Sequence, residues 1–157
     1  MPRTVIAPLR PADSEEAVHV FFDAVHNGTS GVYTAEQRTA WAGTVPDTEG
    51  WRHRLDGVDG FSARIEGKLV GFMTLDDNGY IDLAFVRADC ARQGVGAELY
   101  RAIEEHARIS GIQTLTTEAS LAAQPFFERM GWHVVAGQRV VKRGVELTNY
   151  RMTKALP

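Results

Sequence analysis

Hydrophobic residues alternate with polar ones at the start of the chain and then change to helical spacing. Thr4–Arg10 alternates as a β-strand does. From Asp13 onward the apolar residues recur every three or four positions, which predicts an amphipathic helix of about three turns. Asp13 is the expected N-cap, and Glu16 three residues later completes an arrangement close to a capping box. The apolar positions of this helix are Ala17, Val18, Phe21, Phe22 and Val25.

The middle of the chain predicts two short helices and then a three-stranded meander. The helices are expected over Thr34–Ala42, where Thr34 is the N-cap, and over Thr48–Leu55. The strands of the meander are Phe61–Glu66, Leu69–Leu75 and Tyr80–Val86, joined by turns at Gly67-Lys68 and Asp77-Asn78-Gly79.

A second, longer amphipathic helix is predicted from Val95 to about Ser110, with Gly111 at its end. Its apolar face consists of Val95, Leu99, Ala102, Ile103, His106 and Ala107. The remaining elements are a strand over Gln113–Glu118, a helix that starts near Pro125, and a hairpin of Val134–Val141 and Val145–Met152 around Arg143-Gly144. Together the elements predict an α/β (α+β) fold with about seven strands and about four helices.

Length and composition place limits on this picture. The 157 residues suit one domain, and no repeat or linker divides residues 1–157. A net charge of −3 argues against nucleic acid or an anionic membrane as a partner. No apolar run approaches the length of a transmembrane helix. Cys90 is the only cysteine, which excludes an intramolecular disulfide and fits a reducing compartment, so we expect a cytoplasmic protein. We expect no metal site.

A glycine pair between a strand and a helix is the main chemical signal. Gly94 and Gly96 stand between the apolar run Ile81–Val86 and the second amphipathic helix. Backbone N–H groups at a helix N-terminus converge on one point, and the helix dipole adds positive potential there, so this turn can hold a phosphate or pyrophosphate. A glycine pair also marks many ordinary turns.

Two nucleotide-binding patterns are absent from this turn. The Rossmann fingerprint requires a third glycine where this chain has Leu99. A P-loop requires Gly-Lys-Ser/Thr, whereas Gly96 is followed by Ala97-Glu98. The segment Arg92-Gln93-Gly94-Val95-Gly96-Ala97 instead resembles the pyrophosphate loop of the GNAT N-acetyltransferases, which bind coenzyme A. Ala91 departs from the Gln or Arg that opens the usual family pattern.

A second signature strengthens the resemblance. Downstream of the loop, the chain resembles the family's Asn-x-x-Ala-x-x-aromatic-Tyr…Gly-Phe stretch, with Ser120, Ala123, Phe126, Phe127 and Gly131-Trp132 at the matching positions. Glu118–Phe127, together with the tail from Arg143 to Met152, is most similar to the bacterial YafP-like branch. The resemblance implies the GNAT fold, a mixed central sheet splayed between its fourth and fifth strands.

The resemblance also implies which residues bind coenzyme A. Main-chain groups of the strand before the loop would pair with the pantetheine arm. The pyrophosphate would lie on the glycine loop, and residues of the second signature would complete the site. Carried over by position, the set is Ala84, Phe85, Val86, Arg92, Gln93, Gly94, Val95, Gly96, Ala97, Ser120 and Phe127.

Candidates for the chemistry are fewer. Asp82 and Glu118 are the candidate general bases, with a water chain as the alternative. The usual acid of the family is a tyrosine where this chain has Phe127, so Tyr33, Tyr80, Tyr100 or a water would have to replace it. Acceptor recognition in this fold comes from the region between the first two strands. There His26, Asn27, Tyr33, Trp41 and Trp51 are candidates, and we expect His26 and Tyr33 to contact the substrate.

The resemblance therefore implies an acetyl-CoA-dependent N-acetyltransferase that acts on a primary amine by direct transfer in a ternary complex. The amine is a small molecule or a peptide, and the protein is a monomer or a homodimer. The alternative, favoured by Phe127 in the tyrosine position, is a GNAT-fold module that binds an acyl-CoA as a sensor without turnover.

Overall fold

In the computed structural model, residues 2–157 form two four-stranded sheets and four α-helices. The elements are β1 Thr4–Pro8, α1 Ser14–Gly28, α2 Ala35–Ala42, β2 Asp59–Ile65, β3 Lys68–Leu75, β4 Tyr80–Ile81, β5 Ala84–Val86, α3 Val95–Ile109, β6 Thr114–Ser120, α4 Gln124–Arg129, β7 His133–Lys142 and β8 Val145–Ala155. Short 3₁₀ turns lie at Pro11–Asp13 and Ala88–Cys90.

The first sheet has the order β1-β2-β3-β5 and the second has the order β4-β6-β8-β7. All neighbours are antiparallel except β4 and β6, which are parallel. The predicted mixed α/β architecture with four helices is confirmed. There are eight strands instead of about seven because the predicted strand Tyr80–Val86 is divided between the two sheets.

The first helix forms as predicted, but its N-terminus differs. Asp13 makes no capping hydrogen bond to α1; its carboxylate accepts the N–H of Arg10 at 2.9 Å, which closes the preceding 3₁₀ turn. Glu16 accepts hydrogen bonds from Arg64 at 2.9 Å and from the N–H of Leu69 at 3.2 Å. The predicted capping box is therefore wrong, because the Glu16 carboxylate is used to attach α1 to the sheet.

The predicted helix Thr48–Leu55 is also wrong. Residues 48–57 are a run of turns, in which Trp51 N–H donates to the Asp47 carbonyl and Arg54 N–H to the Trp51 carbonyl. The Asp47 side chain accepts the Gly50 N–H at 2.9 Å, a local bond that competes with helix formation. In contrast, Thr34 caps α2 as predicted and forms a capping box with Gln37.

Two clusters of buried side chains hold the layers together. The larger cluster lies between α3 and both sheets, and the smaller one lies under α1 and the turns that follow α2. Ala102 and His106 of the predicted apolar face of α3 are half-buried, whereas Val95, Leu99, Ile103 and Ala107 are at most 1% exposed, as predicted. Burying each of the three larger side chains stabilises the fold by about 1.5–3 kcal/mol.

The C-terminal hairpin folds back onto α2. Its turn has left-handed backbone at Arg143 (φ 47°) and Gly144 (φ 78°), as a two-residue hairpin turn requires. The Arg143 guanidinium donates to the carbonyls of Thr39 and Ala40 at 3.3 and 3.2 Å. The hairpin therefore closes one side of the space between the two sheets.

Candidate active site

The strand Tyr80–Val86 is interrupted where it changes partner. β4 pairs with β6, whereas β5 pairs with β3. The Leu83 N–H donates to the Thr74 hydroxyl at 3.0 Å, and the Thr117 hydroxyl donates to the Ile81 carbonyl at 2.7 Å. Both hydroxyls are buried, where water cannot serve as the partner. They therefore supply the hydrogen bonds that the Leu83 N–H and the Ile81 carbonyl would make in a continuous sheet. We call Thr74 and Thr117 the threonine pair.

Beyond this interruption the two sheets diverge and leave a cleft. β5 is the last strand of its sheet, so the backbone edge of Ala84–Val86 that faces away from β3 is unpaired. Glu118–Ser120 of β6 lies on the other side of the opening, beyond the end of β4. The cavity between them has a volume of about 350 Å³. The predicted splay is therefore present, and it starts at the threonine pair.

Aromatic rings form one wall of the cleft. Phe21 stacks on Trp51 with ring centroids 5.0 Å apart and meets Phe85 edge-on at the same distance. Trp41 packs against Phe85 at 6.0 Å and against Tyr33 at 5.8 Å. The acceptor region predicted from the sequence thus supplies an apolar surface through its aromatic residues.

Charged groups also line the cleft. Asp82, which lies in the interruption, pairs with Arg54 at 2.5 Å, and the Arg54 guanidinium lies 5.8 Å from the centre of the Trp51 ring. Glu118 accepts a hydrogen bond from the Gln138 amide at 3.1 Å. The structure therefore brings both predicted bases, Asp82 and Glu118, into one cavity.

Several lining residues were not predicted. They are Asp47, Arg54, Val140, Lys142, Arg143, Leu147 and Asn149. These residues lie in the turns after α2 and in the C-terminal hairpin, far from the glycine loop in sequence. Their positions depend on tertiary packing, and no local pattern in the sequence marks them.

The tyrosines proposed as substitutes for the missing acid lie in different environments. The Tyr33 hydroxyl donates to the Thr148 carbonyl at 2.6 Å and accepts the Leu121 N–H at 3.0 Å. Burial raises the pKa of Tyr33, and the Leu121 hydrogen bond offsets part of the rise. Tyr100 lies outside the cleft, where its hydroxyl accepts the indole N–H of Trp132 at 2.9 Å. Burial raises the pKa of Tyr100 as well.

Tyr80 is the third predicted substitute, and like Tyr33 it lines the cleft. Its side chain is half-buried and lines the cavity with Asp82 and Glu118. Within residues 2–157 the Tyr80 hydroxyl makes no hydrogen bond. Burial is the main cause that raises the pKa of Tyr80 to about 12, followed by the negative charges of Glu118, Asp82 and Asp76.

The glycine loop begins α3 without a side-chain cap. Arg92 (φ 63°) and Gly94 (φ 85°) both have left-handed backbone, and the first helical bond runs from the Glu98 N–H to the Gly94 carbonyl at 3.0 Å. The N–H groups of the first turn therefore have no partner in the helix. Such a turn can accept an anionic ligand.

Residues of the loop have different environments. A Cβ atom added to Gly94 would meet nothing within 4 Å, whereas one on Gly96 would approach the Phe126 ring at 3.2 Å. The Val95 side chain is 1% exposed, so Val95 can offer only its backbone to a ligand. Arg92 and Gln93 are exposed.

The remaining predicted site residues are divided between the cleft and other parts of the fold. Ser120 lines the cleft, and its hydroxyl accepts the Ala123 N–H at 3.0 Å, which caps the turn before α4. Phe127 lines the cleft at 2% exposure and packs on Trp132. His26 is not brought to the cleft: its Nε2 contacts the Gly43 carbonyl at 2.7 Å and joins α1 to the end of α2.

Comparison with known proteins agrees with this geometry. Residues 29–154 match the family model described as an acetyltransferase (GNAT) domain. The chain belongs to the GNAT acetyltransferase family. It is 34% identical over 143 residues to the uncharacterized N-acetyltransferase YafP of Escherichia coli (strain K12), a match that covers 91% of this chain and 90% of YafP. The predicted resemblance to the YafP-like branch is confirmed.

Solved structures of GNAT proteins share the fold over nearly the whole chain. A GCN5-related N-acetyltransferase from Rhodopseudomonas palustris is 31% identical with a TM-score of 0.91, covering 99% of this chain and 98% of that one. The PaiA N-acetyltransferase of Thermoplasma acidophilum, crystallised with coenzyme A, is 16% identical with a TM-score of 0.77, covering 98% and 99%. None of the helices in residues 2–157 combines the length and hydrophobicity needed to cross a bilayer.

Proposed function

We propose that this GNAT protein transfers an acetyl group from acetyl-CoA to a primary amine by direct attack within a ternary complex. One observation supports the proposal most strongly. The unpaired edge of β5 adjoins a cleft that also contains two candidate bases, and the same segment of chain continues through the 3₁₀ turn at Ala88–Cys90 to the uncapped start of α3. We further propose that residues 1–157 act as one acetyltransferase domain. The free thiol of Cys90 fits a reducing compartment such as the cytoplasm.

The residues present fit coenzyme A. The backbone of Ala84–Val86 offers an unpaired strand edge to the amide groups of the pantetheine arm. The backbone of Arg92–Ala97 offers N–H groups and the α3 dipole to the pyrophosphate, and the open space beside Gly94 leaves room for it. When bound, acetyl-CoA supplies the thioester whose acetyl group is transferred.

The other side of the cleft suits the acceptor. An amine with a pKa near 10 arrives protonated at neutral pH and must lose a proton before it can attack. Asp82 and Glu118 lie where the strands separate and can accept that proton directly or through one water. The ring of Tyr33 and the tryptophans of the aromatic wall would contact the body of the amine.

Direct transfer is favoured over a covalent acyl-enzyme by the composition of the cleft. A covalent route requires a nucleophile with a nearby base. Cys90 does not line the cavity. The Ser120 hydroxyl lines it but is used as a cap for the Ala123 N–H. In the proposed route Asp82 and Glu118 move protons, and no side chain of the cleft is acylated.

The experiment is thiol release from acetyl-CoA with a panel of primary amines. We expect release that depends on the amine and falls about 10²–10⁴-fold in the Glu118→Gln or Asp82→Asn variant, while the affinity for acetyl-CoA is unchanged. Glu105→Gln, an exposed site on α3, is the control. The sensor alternative, favoured by Phe127, predicts a rise in melting temperature with acetyl-CoA but no thiol release with any amine.

A further inference from the structure

A proton must reach the sulfur of the leaving group if the proposed function is correct, and this inference rests on that function. Phe127, at the position of the usual family acid, has no proton to give. The chain contains four tyrosines: Tyr33, Tyr80, Tyr100 and Tyr150. Only Tyr33 and Tyr80 line the cleft. Among the tyrosines, two side chains within residues 2–157 are therefore candidates for the substitute acid.

The hydrogen bonds of these two tyrosines separate them. The Tyr33 hydroxyl donates its one proton to the Thr148 carbonyl and also accepts the Leu121 N–H. A reaction that used this proton would break the hydrogen bond between Tyr33, which lies just before α2, and Thr148 of β8. The Tyr80 hydroxyl has no such partner in the part of the chain that the structure describes, so its proton is available.

The sheet places Tyr80 beside both carboxylates. Tyr80 pairs with Thr116, which is two residues before Glu118 on β6. Side chains two apart on a strand share a face, and paired residues of neighbouring strands point to the same side, so Tyr80 and Glu118 lie on one face of the sheet. Asp82 follows in the interruption, and all three residues line the same cavity.

We propose that Tyr80 donates the proton that the departing sulfur of coenzyme A requires, and that Glu118 supplies its replacement. As the amine nitrogen bonds to the carbonyl carbon, the carbon–sulfur bond breaks and its electron pair passes to sulfur. The Tyr80 hydroxyl proton goes to that sulfur. The amine enters this step neutral, its first proton having passed to solvent. Glu118 takes the second proton from the nitrogen as the nitrogen–carbon bond forms and returns it to the Tyr80 oxygen, so both side chains end as they began.

Acid strengths explain why the two groups must act together. A phenol with a pKa of about 12 is a weaker acid than a thiol, whose ordinary pKa is about 8.5, so Tyr80 alone would give up its proton unfavourably. A carboxylic acid has an ordinary pKa near 4 and re-protonates the phenolate readily. We assign this step to Glu118 because Asp82 is already paired with Arg54.

The test uses Tyr80→Phe and reads the thiol of bound coenzyme A. Ultraviolet absorbance of the thiolate, followed against pH in the complex, gives the pKa of that thiol. A hydrogen bond from Tyr80 stabilises the thiolate, so we expect a higher thiol pKa in Tyr80→Phe than in the unchanged protein. We expect kcat to fall about 10²–10⁴-fold while the affinity for coenzyme A changes less than about twofold.

The matched control is Tyr150→Phe, which removes a hydroxyl from a half-buried tyrosine outside the cleft. It should alter neither the thiol pKa nor kcat. Because the Tyr80 hydroxyl makes no hydrogen bond, Tyr80→Phe should keep the melting temperature of the unchanged protein. An unaltered thiol pKa and kcat in Tyr80→Phe would overturn the role of Tyr80 alone. A protein that binds no coenzyme A would overturn the proposed function together with this inference.

Discussion

At the scale of single residues, Gly94 and Gly96 differ in how much space lies beside their backbones, where another residue would carry a side chain. Gly94 has left-handed backbone and open space beside it, whereas Gly96 faces the Phe126 ring. Only Gly94 therefore offers room to a ligand, and Gly96 allows α3 to pack closely on α4. The sequence pattern treats the two glycines alike, but the structure assigns them separate roles.

Gly94→Ala should weaken coenzyme A binding at least tenfold, about 1.4 kcal/mol, because its methyl group enters the space in front of the loop and its backbone is strained. Gly111→Ala is a matched control, since Gly111 also has positive φ and open surroundings but lies at the other end of α3. Calorimetry of both variants checks the difference. Equal affinity in the two variants would remove the loop from the proposed site.

At the scale of elements, the cleft depends on the change of partner within Tyr80–Val86. A continuous strand across these residues would keep β5 and β6 side by side and leave no opening. The threonine pair makes the interruption possible, because Thr74 satisfies the Leu83 N–H and Thr117 satisfies the Ile81 carbonyl in a buried setting.

Thr117→Val and Thr74→Val should each lower stability by about 1–3 kcal/mol, because a buried backbone group loses its partner. Each should also weaken coenzyme A binding about tenfold, since the unpaired edge of β5 would shift. Thr29→Val removes another buried hydroxyl contact, at the end of α1, and should lower stability alone. Thr117→Ser should restore binding. Unchanged affinity in both cleft variants would show that the pair is structural only.

Local signals in the sequence predicted most of the elements and the glycine loop. The glycine turn, the Thr34 cap and the Arg143-Gly144 hairpin each depend on residues close in sequence, and all three form as predicted. The resemblance implied a splay at Tyr80–Val86, but the division of this segment into two strands was not predicted, because hydroxyls from two other strands stabilise it. The turns at Thr48–Leu55 were missed because the Asp47 side chain competes for a backbone N–H.

The acceptor side of the site was the least predictable part for a similar reason. Arg54, Lys142 and Asn149 meet in the cleft only after the turns following α2 and the C-terminal hairpin have packed. His26 was assigned to the substrate from its position between the first two strands, but its imidazole contacts Gly43 instead. A residue's position between two strands in the sequence does not show which face of α1 lies toward the cleft.

At the scale of the whole molecule, the cleft is closed by contacts between distant segments. Tyr33 contacts Thr148 of β8, and Arg143 of the hairpin turn contacts the last turn of α2. These contacts hold the aromatic wall and the charged groups around one cavity. In the function proposed above, acetyl-CoA and the acceptor would share this one cavity, as direct transfer requires.

The most direct test of that arrangement is a single-turnover measurement by mass spectrometry. Protein loaded with one equivalent of acetyl-CoA is mixed with the amine that gives the fastest thiol release, and samples are quenched over time. Direct transfer predicts that acetylated amine appears at the rate at which acetyl-CoA disappears, while the protein mass never increases. A protein that gains one acetyl group before the product appears, or acetyl-CoA that persists beside the amine, would contradict the account.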